Sequence, residues 1–317
     1  MVALSHRPRC SDRPVDIQMS VFAAAASVQQ EYTLQSIEAA LRARLSGGKI
    51  YGTDTDDKDY GGTVVMWKKR LRNCDKLTTV SASTFVDMPS IVQALPPWYA
   101  DAYRYWEEEQ NCDISDDGVL GGYGKVTPMD IRDSNRFIDS LKTVRPLLQF
   151  DRAADCGAGI GRVSKHLLLH HFQQVDLVEQ SPRLLKSSIG YIGAPDAART
   201  ARVEVGLQDF RPKKGEYDAI WIQWVVGHLH DVDFINFFRR CLYGLKPNGV
   251  IVLKDNLAAN YTFVVDNSDS SVSRSLDYMR LLFEMSGLKV LLEARQTDFP
   301  EELYPVIMLA LVDARES

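Results

Sequence analysis

The chain has 317 residues, 45% of them hydrophobic and 25% charged, which leaves room for one large domain or two modest ones of ordinary globular composition. A net charge of −5 gives no broad basic surface for nucleic acid. The five cysteines, Cys10, Cys74, Cys112, Cys156 and Cys241, are odd in number and form no C-x-x-C pair, so neither a zinc site nor a disulfide framework is indicated.

The first 15 or so residues read as irregular. Arg7, Arg9 and Arg13 are offset there by Asp12, Asp16, Pro8 and Pro14, a pattern against a transit peptide. No apolar run reaches the roughly 18 residues of a membrane span. The expectation is a reducing compartment: cytoplasm, nucleus or both. Over 19–45, Phe22, Ala25, Val28, Tyr32, Ile37, Leu41 and Leu45 recur at helical spacing, and Gly47-Gly48 supplies a stop. Asp54, Asp56, Asp57 and Asp59 follow among glycines. They miss the glycine and the final acid of a calcium loop, so this run reads as a solvated loop and no metal is expected. Residues 64–95 resist assignment, and 1–95 stands as an N-terminal extension without a task. Pro96-Pro97 punctuates the chain. An aromatic helix is expected over 98–109, with Trp98, Tyr99, Ala102, Tyr105 and Trp106 on its apolar side. A glycine-rich turn follows at 117–124. Thr127-Pro128-Met129-Asp130 then reads as a helix start, with hydroxyl cap, early proline and acid, for a helix carrying Ile131, Phe137, Ile138 and Leu141.

The rest of the chain is organised around Asp155-Cys156-Gly157-Ala158-Gly159-Ile160-Gly161-Arg162, which closes an apolar strand and opens a helical run. Three glycines in five positions let backbone turn tightly and approach a ligand. The spacing D-x-G-x-G-x-G is tighter than the G-x-G-x-x-G of NAD proteins, and an acid before the first glycine would repel a pyrophosphate. That acid favours a cation instead, such as the amine or sulfonium of S-adenosylmethionine, although other nucleotide folds remain open on the motif alone. Beyond it, strands are expected at 152–156, 174–179, 202–206, 217–223 and 250–255, with helices at 161–172, 182–192 and 232–245. A helix over 271–286 follows, capped by Ser270 or Ser271, and then two strands at 288–294 and 305–312 that pair antiparallel. Between the third and fourth strands lies a short loop with a turn at 213–216, so a crossover helix there is missing or very short. This alternation predicts an α/β fold: a mostly parallel, doubly wound sheet of seven strands covered on both faces.

In such sheets the ligand lies beyond the carboxyl ends of the strands, near the first. Glu179 closes the second strand, eighteen residues past Gly161, where a carboxylate accepts hydrogen bonds from ribose hydroxyls. Leu207 and Gln208 follow the third strand, either as an adenine contact or as a solvated turn. Gln223, Trp224 and His228 fall at the cleft after the fourth strand, His228 as a structural histidine or as a functional one. Asn256 ends the fifth, and Asp266, Asp269, Ser270 and Ser271 follow. Two carboxylates and an amide beside a sulfonium pocket would suit a cationic amine, or they are solvated capping residues.

Taken together, Tyr105-Trp106, Gly118 to Gly124, the glycine loop, Gly206-Leu207-Gln208-Asp209-Phe210, Trp221-Ile222-Gln223-Trp224-Val225-Val226-Gly227-His228-Leu229, Lys254-Asp255-Asn256 and Asp266-Asn267-Ser268-Asp269-Ser270-Ser271-Val272 resemble the eukaryotic protein N-terminal (α-N) methyltransferases. The likeness runs in order over 98–317. It implies a class I S-adenosylmethionine-dependent methyltransferase (Rossmann-like) fold over 96–317, with 96–146 on the substrate side and the extension outside. It implies methylation of the α-amine of proteins beginning X-Pro-Lys or X-Pro-Arg, with S-adenosyl-L-homocysteine as product. Gly157, Gly159, Arg162, Glu179, Leu207, Gln208 and Gln223 would then hold the cofactor, with Arg162 on its carboxylate. Trp106, Leu120, Gly121, Trp224, Asp266, Ser271 and Tyr304 would line the peptide channel. Asp269, with His228, would accept the proton, and Asn256 would orient the amine. Other readings are a methyltransferase for another small amine or protein side chain, and a non-catalytic S-adenosylmethionine-binding scaffold.

Overall fold

A computed structural model of the protein describes residues 34–44, 47–51, 97–108 and 111–316. In chain order its first elements are helix α1 (Leu34–Arg44), strand β1 (Gly47–Tyr51), helices α2 (Pro97–Glu107), α3 (Asp116–Val119) and α4 (Thr127–Val144), and strand β2 (Arg152–Cys156). A π-helical turn (Ser164–Leu168) runs into α5 (Leu169–His171), followed by β3 (Gln174–Glu179), α6 (Pro182–Ile192), β4 (Thr200–Glu204), β5 (Tyr217–Gln223), α7 (Asp231–Gly244) and β6 (Leu245–Asn256). A hairpin, β7 (Thr262–Asp266) and β8 (Ser271–Arg274), precedes α8 (Leu276–Ser286), β9 (Leu288–Arg295) and β10 (Val306–Asp313).

The main sheet has seven strands in the order β4-β3-β2-β5-β6-β10-β9. The first five are parallel, and β10 is inserted antiparallel between β6 and β9. This is the expected sheet, with its last strand reversed. Because both faces are covered, interior strands are apolar throughout, and every residue of β5 is buried. One core joins α7 and α8 to one face through Phe234, Phe237, Phe238 and Phe283. The other joins α4 through Phe137, Ile138 and Leu141, together with the π-helical turn and α6. The order reverses between β2 and β5, which sets the crevice at their carboxyl ends.

Several boundaries differ from expectation. The part of the 19–45 helix before Leu34 and the Asp54–Asp59 run lie outside the described residues. α4 is not capped by Thr127; that hydroxyl donates to Asp116 Oδ2 at 2.9 Å, and Val126 holds the cap position without a side-chain bond. The helix expected from 271 begins at Leu276 and is capped by Ser275, whose oxygen accepts from Tyr278 N. Ser271 instead opens β8, because alternate residues Phe263, Val265 and Val272 bury one face of a hairpin. The third parallel strand ends at Glu204, and no helix lies between it and β5. No helix among the described residues is long and apolar enough to cross a membrane.

Candidate active site

The glycine loop after β2 is held against β3. Gly157 and Ala158 both donate to Val178 O, at 2.8 and 3.1 Å. Gly157 has φ +72°, and a Cβ there would lie 2.4 Å from Val225 Cγ2, so no other residue fits. Asp155 does not face the ligand as expected. It is buried, and its Oδ2 accepts from Ser164 N and Ser164 Oγ at 3.0 and 2.7 Å, capping the helical run that follows. Burial pushes its carboxyl up to about 6.

The crevice opens into a cleft with about 930 Å³ of empty space, its open mouth included. Gly157, Gly159, Arg162, Glu179, Leu207, Gln208 and Gln223 all line it, as do Trp106, Leu120, Trp224 and His228. Glu179 uses one oxygen for Gly159 N–H at 2.9 Å and the other for Ser181 N–H at 2.8 Å, and burial raises its pKa. Gln180 N–H is a third donor, and a carboxylate has about four lone-pair sites, so about one remains for a hydroxyl. Leu207 supplies an apolar wall beside them.

Below the cleft lies a charge network that the sequence reading missed. Asp130, from α4, is fully buried and meets Arg162 Nη1 at 2.7 Å and Lys254 Nζ at 2.5 Å. Gln223 Nε2 donates to the same carboxylate at 2.9 Å while its Oε1 accepts from Trp221 Nε1 at 2.9 Å. Burial pushes the Asp130 carboxyl up, but the two cations outweigh it and hold it below the usual range. Asp155 and Asp133 act on Arg162 and Lys254 from farther off. Arg162 brings its positive charge to the cleft wall, its guanidinium 5.4 Å from the centre of the Trp224 ring. Gln223 spends its amide on Asp130 through Nε2 and on Trp221 through Oε1. A lysine directly after the apolar run Ile251-Val252-Leu253 was the available signal, since a buried ammonium requires a counter-ion.

The far end of the cleft is closed by α2 and the hairpin. His228 accepts at Nε2 from the Trp106 indole N–H (3.1 Å) and lies 3.0 Å from Ser270 O through Nδ1. A carbonyl only accepts, so the proton sits on Nδ1 and the ring is neutral, in keeping with a pKa lowered by burial. Beside it, Asp269 is fully buried. Its Oδ1 accepts from Ser271 Oγ at 2.7 Å, and its Oδ2 has no hydrogen-bond partner among the described residues. Burial raises its carboxyl, opposed by His228. Asp269 also faces Tyr105, whose hydroxyl is pushed up to about 12 by burial and then by Asp269 and Asp266.

Six expected site residues lie off the cleft wall. Asp269 and Ser271 stand behind His228 on the hairpin, and Asp266 ends β7 with its Oδ1 bonded to Ser268. Asn256 closes β6 opposite Val306, two residues beyond Tyr304. Gly121, with φ +58°, follows the buried Leu120. Trp224 has φ +53° and a buried indole N–H without a partner among the described residues, a strained setting of the kind found at ligand sites. Tyr99 was not expected on the wall; it lines the cleft and donates to Asp233 Oδ2 at 2.6 Å.

Residues 96–312 match the family described as AdoMet dependent proline di-methyltransferase. The chain belongs to that family. It is 40% identical over 264 residues to alpha N-terminal protein methyltransferase 1 of Dictyostelium discoideum, covering 82% of this chain and 90% of that protein. It is 40% identical over 222 residues to N-terminal Xaa-Pro-Lys N-methyltransferase 1 of Mus musculus, covering 70% and 98%. A solved S-adenosylmethionine-dependent methyltransferase from Leishmania major superposes with a TM-score of 0.70 at 31% identity, over 91% of this chain and all of that one. The cofactor of this methyltransferase family is S-adenosylmethionine, and the cleft fits it. The Arg162 guanidinium suits an amino-acid carboxylate, Glu179 suits a ribose hydroxyl, and the Cβ-free loop leaves room for close backbone approach.

Proposed function

We propose that the protein methylates the free α-amine of proteins beginning Xaa-Pro-Lys or Xaa-Pro-Arg, releasing S-adenosyl-L-homocysteine. The observation that carries this reading is Asp269: a fully buried carboxylate with one oxygen unpartnered among the described residues, beside His228 at the rim of a methyl-donor cleft. The relatives named for this reaction support it. Bound S-adenosylmethionine supplies an electrophilic methyl on a positively charged sulfur. Arg162 would hold its carboxylate, Glu179 its ribose, and Leu207 with Gln208 its base.

A free α-amine has a pKa of about 7.7–8.0 and arrives mostly protonated. Asp269 would take that proton through Oδ2, and burial helps by raising the carboxyl toward the amine's range. His228, bonded at both nitrogens, would stand as a neutral wall beside Asp269, with Asp269 the proton acceptor of the pair. Asn256 would fix the nitrogen from the end of β6, which lowers the entropy cost of alignment. Trp224 and Leu120 would form the slot for the second-position proline, with Gly121, Ser271 and Tyr304 further along the channel. Asp266 would pair with the third-position cation.

The test is methyl transfer to a peptide starting Ser-Pro-Lys, read by mass spectrometry, beside the same peptide with an acetylated N-terminus. Labelling of the free peptide alone is expected. Equal labelling of both, or of peptides lacking the proline, would assign the site to a side chain or another amine. Cofactor binding without turnover on any of them would make the protein a scaffold.

A further inference from the structure

Residues 34–51 take no part in the proposed reaction, yet they pack on the element that carries its base. β1 lies parallel along the open edge of β7, with Gly47 opposite Thr262 and Tyr51 opposite Asp266. On the other side of β7, β8 pairs antiparallel, with Ser271 opposite Asp266. β8 in turn presses on the 3₁₀ turn Val226–His228: a Cβ at Gly227 would lie 3.1 Å from Val272 O. The Ser270 carbonyl then fixes His228 at Nδ1. β1, the hairpin and His228 thus form one continuous run of contacts.

α1 anchors this run to the core. Ile37 is 1% exposed and belongs to the same apolar cluster as Phe263, Val265 and Val272 of the hairpin and Tyr278 of α8. Arg44 meets Glu284 of α8 at 3.8 Å, an exposed pair worth little by itself. A two-stranded hairpin is marginal in water, whereas a third strand pairs its open edge and restricts its twist. The family match begins at residue 96, so this third strand comes from outside it.

The geometry points to residues 34–51 as a brace that holds the β7–β8 hairpin, and with it Asp269 and the Ser270 carbonyl, in the arrangement that receives the peptide. This inference rests on the proposed function. The cofactor half of the cleft is carried by loops after β2, β3, β4 and β5 in the other sheet, so the brace should act on the peptide and leave the cofactor alone.

The test uses the full chain with Lys49→Pro and Ile50→Pro made separately. Neighbouring N–H groups in a strand point to opposite edges, so one of the two prolines removes a bond to β7. Ile37→Ala and Ile37→Val loosen the anchor to different degrees. KM and kcat for the Ser-Pro-Lys peptide, cofactor affinity by calorimetry, and hydrogen exchange over residues 262–274 are read together. The expected result is a peptide KM raised at least tenfold by one proline variant and several-fold by Ile37→Ala. Exchange should quicken in the hairpin, cofactor affinity should stay within twofold, and Ile37→Val should behave as the parent. Unchanged KM and exchange in both proline variants would overturn the brace. So would cofactor affinity falling in step with peptide affinity, since that is general unfolding. If the unaltered protein is inert toward the peptide, the functional reading falls, and hairpin exchange alone still decides whether β1 braces it.

Discussion

Replacing Lys254 with methionine tests the charge logic of the cofactor site. The substitution keeps the volume of a buried chain but removes one of the two cations on Asp130, leaving Arg162 as the one cation paired with that carboxylate. Lys254 Nζ lies 2.5 Å from one Asp130 oxygen and Arg162 Nη1 lies 2.7 Å from the other. A carboxylate bound on Arg162 would therefore sit roughly 8–10 Å from the ammonium, and at an effective dielectric of about 20 the lost attraction is ~2 kcal/mol. That predicts about 30-fold weaker binding of S-adenosylmethionine. Folding should also suffer, by about 3 kcal/mol, because Ser134 Oγ and Gln296 Oε1 lose their partner as well as Asp130. Calorimetry well below the melting range, with S-adenosylmethionine and its decarboxylated analogue, separates the effects. The intact cofactor should lose affinity while the decarboxylated one keeps it. Equal losses for both would refute the assignment of this positive wall to the cofactor's carboxylate.

Asp269→Asn should lower kcat by roughly 10²–10⁴-fold with cofactor affinity nearly unchanged, measured by single-turnover methyl transfer and calorimetry; a large loss of affinity would make its role structural. Trp106→Phe removes the N–H that occupies His228 Nε2, so the His228 pKa should rise, seen as a shifted imidazole titration by NMR. Glu179→Ala should weaken cofactor binding first and leave kcat at saturating cofactor within a few-fold. Asp155→Asn keeps an acceptor for Ser164 but cannot ionise. The Asp155 pKa is raised on folding to about 6, so its carboxyl adds stability at low pH that is lost as pH rises through about 6. The variant should therefore match the parent near pH 4 and exceed it by up to about 3 kcal/mol above pH 7, read by denaturant unfolding across that range.

The sheet was legible because its signals are local. Five apolar runs alternating with helical periods fix a parallel sheet, and the glycine loop marks its first crossover. The cofactor half of the cleft was legible for the same reason, since Gly157, Arg162, Glu179 and Gln223 all sit at strand ends or just after them. Asp130 was not. At the start of α4 an acid is explained by the helix dipole alone, and nothing nearby in sequence announces that Lys254, 124 positions on, needs its charge. Asp155 erred in the opposite direction: its place in the motif favours a ligand, while its hydrogen bonds to Ser164 spend it on the chain itself.

The hairpin shows how a strong local signal misleads. Asp266, Asp269, Ser270 and Ser271 read as a capping cluster because such residues satisfy free N–H groups at helix starts. The cap is Ser275, four residues later, and the earlier residues turn a tight reversal with Ser270 at φ +58°. The reversal puts a carboxylate where water is excluded and seats a carbonyl on a histidine ring. A solvated cluster could do neither, because an exposed acid keeps an ordinary pKa and an exposed histidine chooses its own tautomer. Asp269 and Ser270, which read as surface, are thus interior, and the strand that extends their hairpin, β1, begins 215 positions before the residue it faces at Thr262. A reaction that depends on that hairpin depends on a pairing no local pattern could announce.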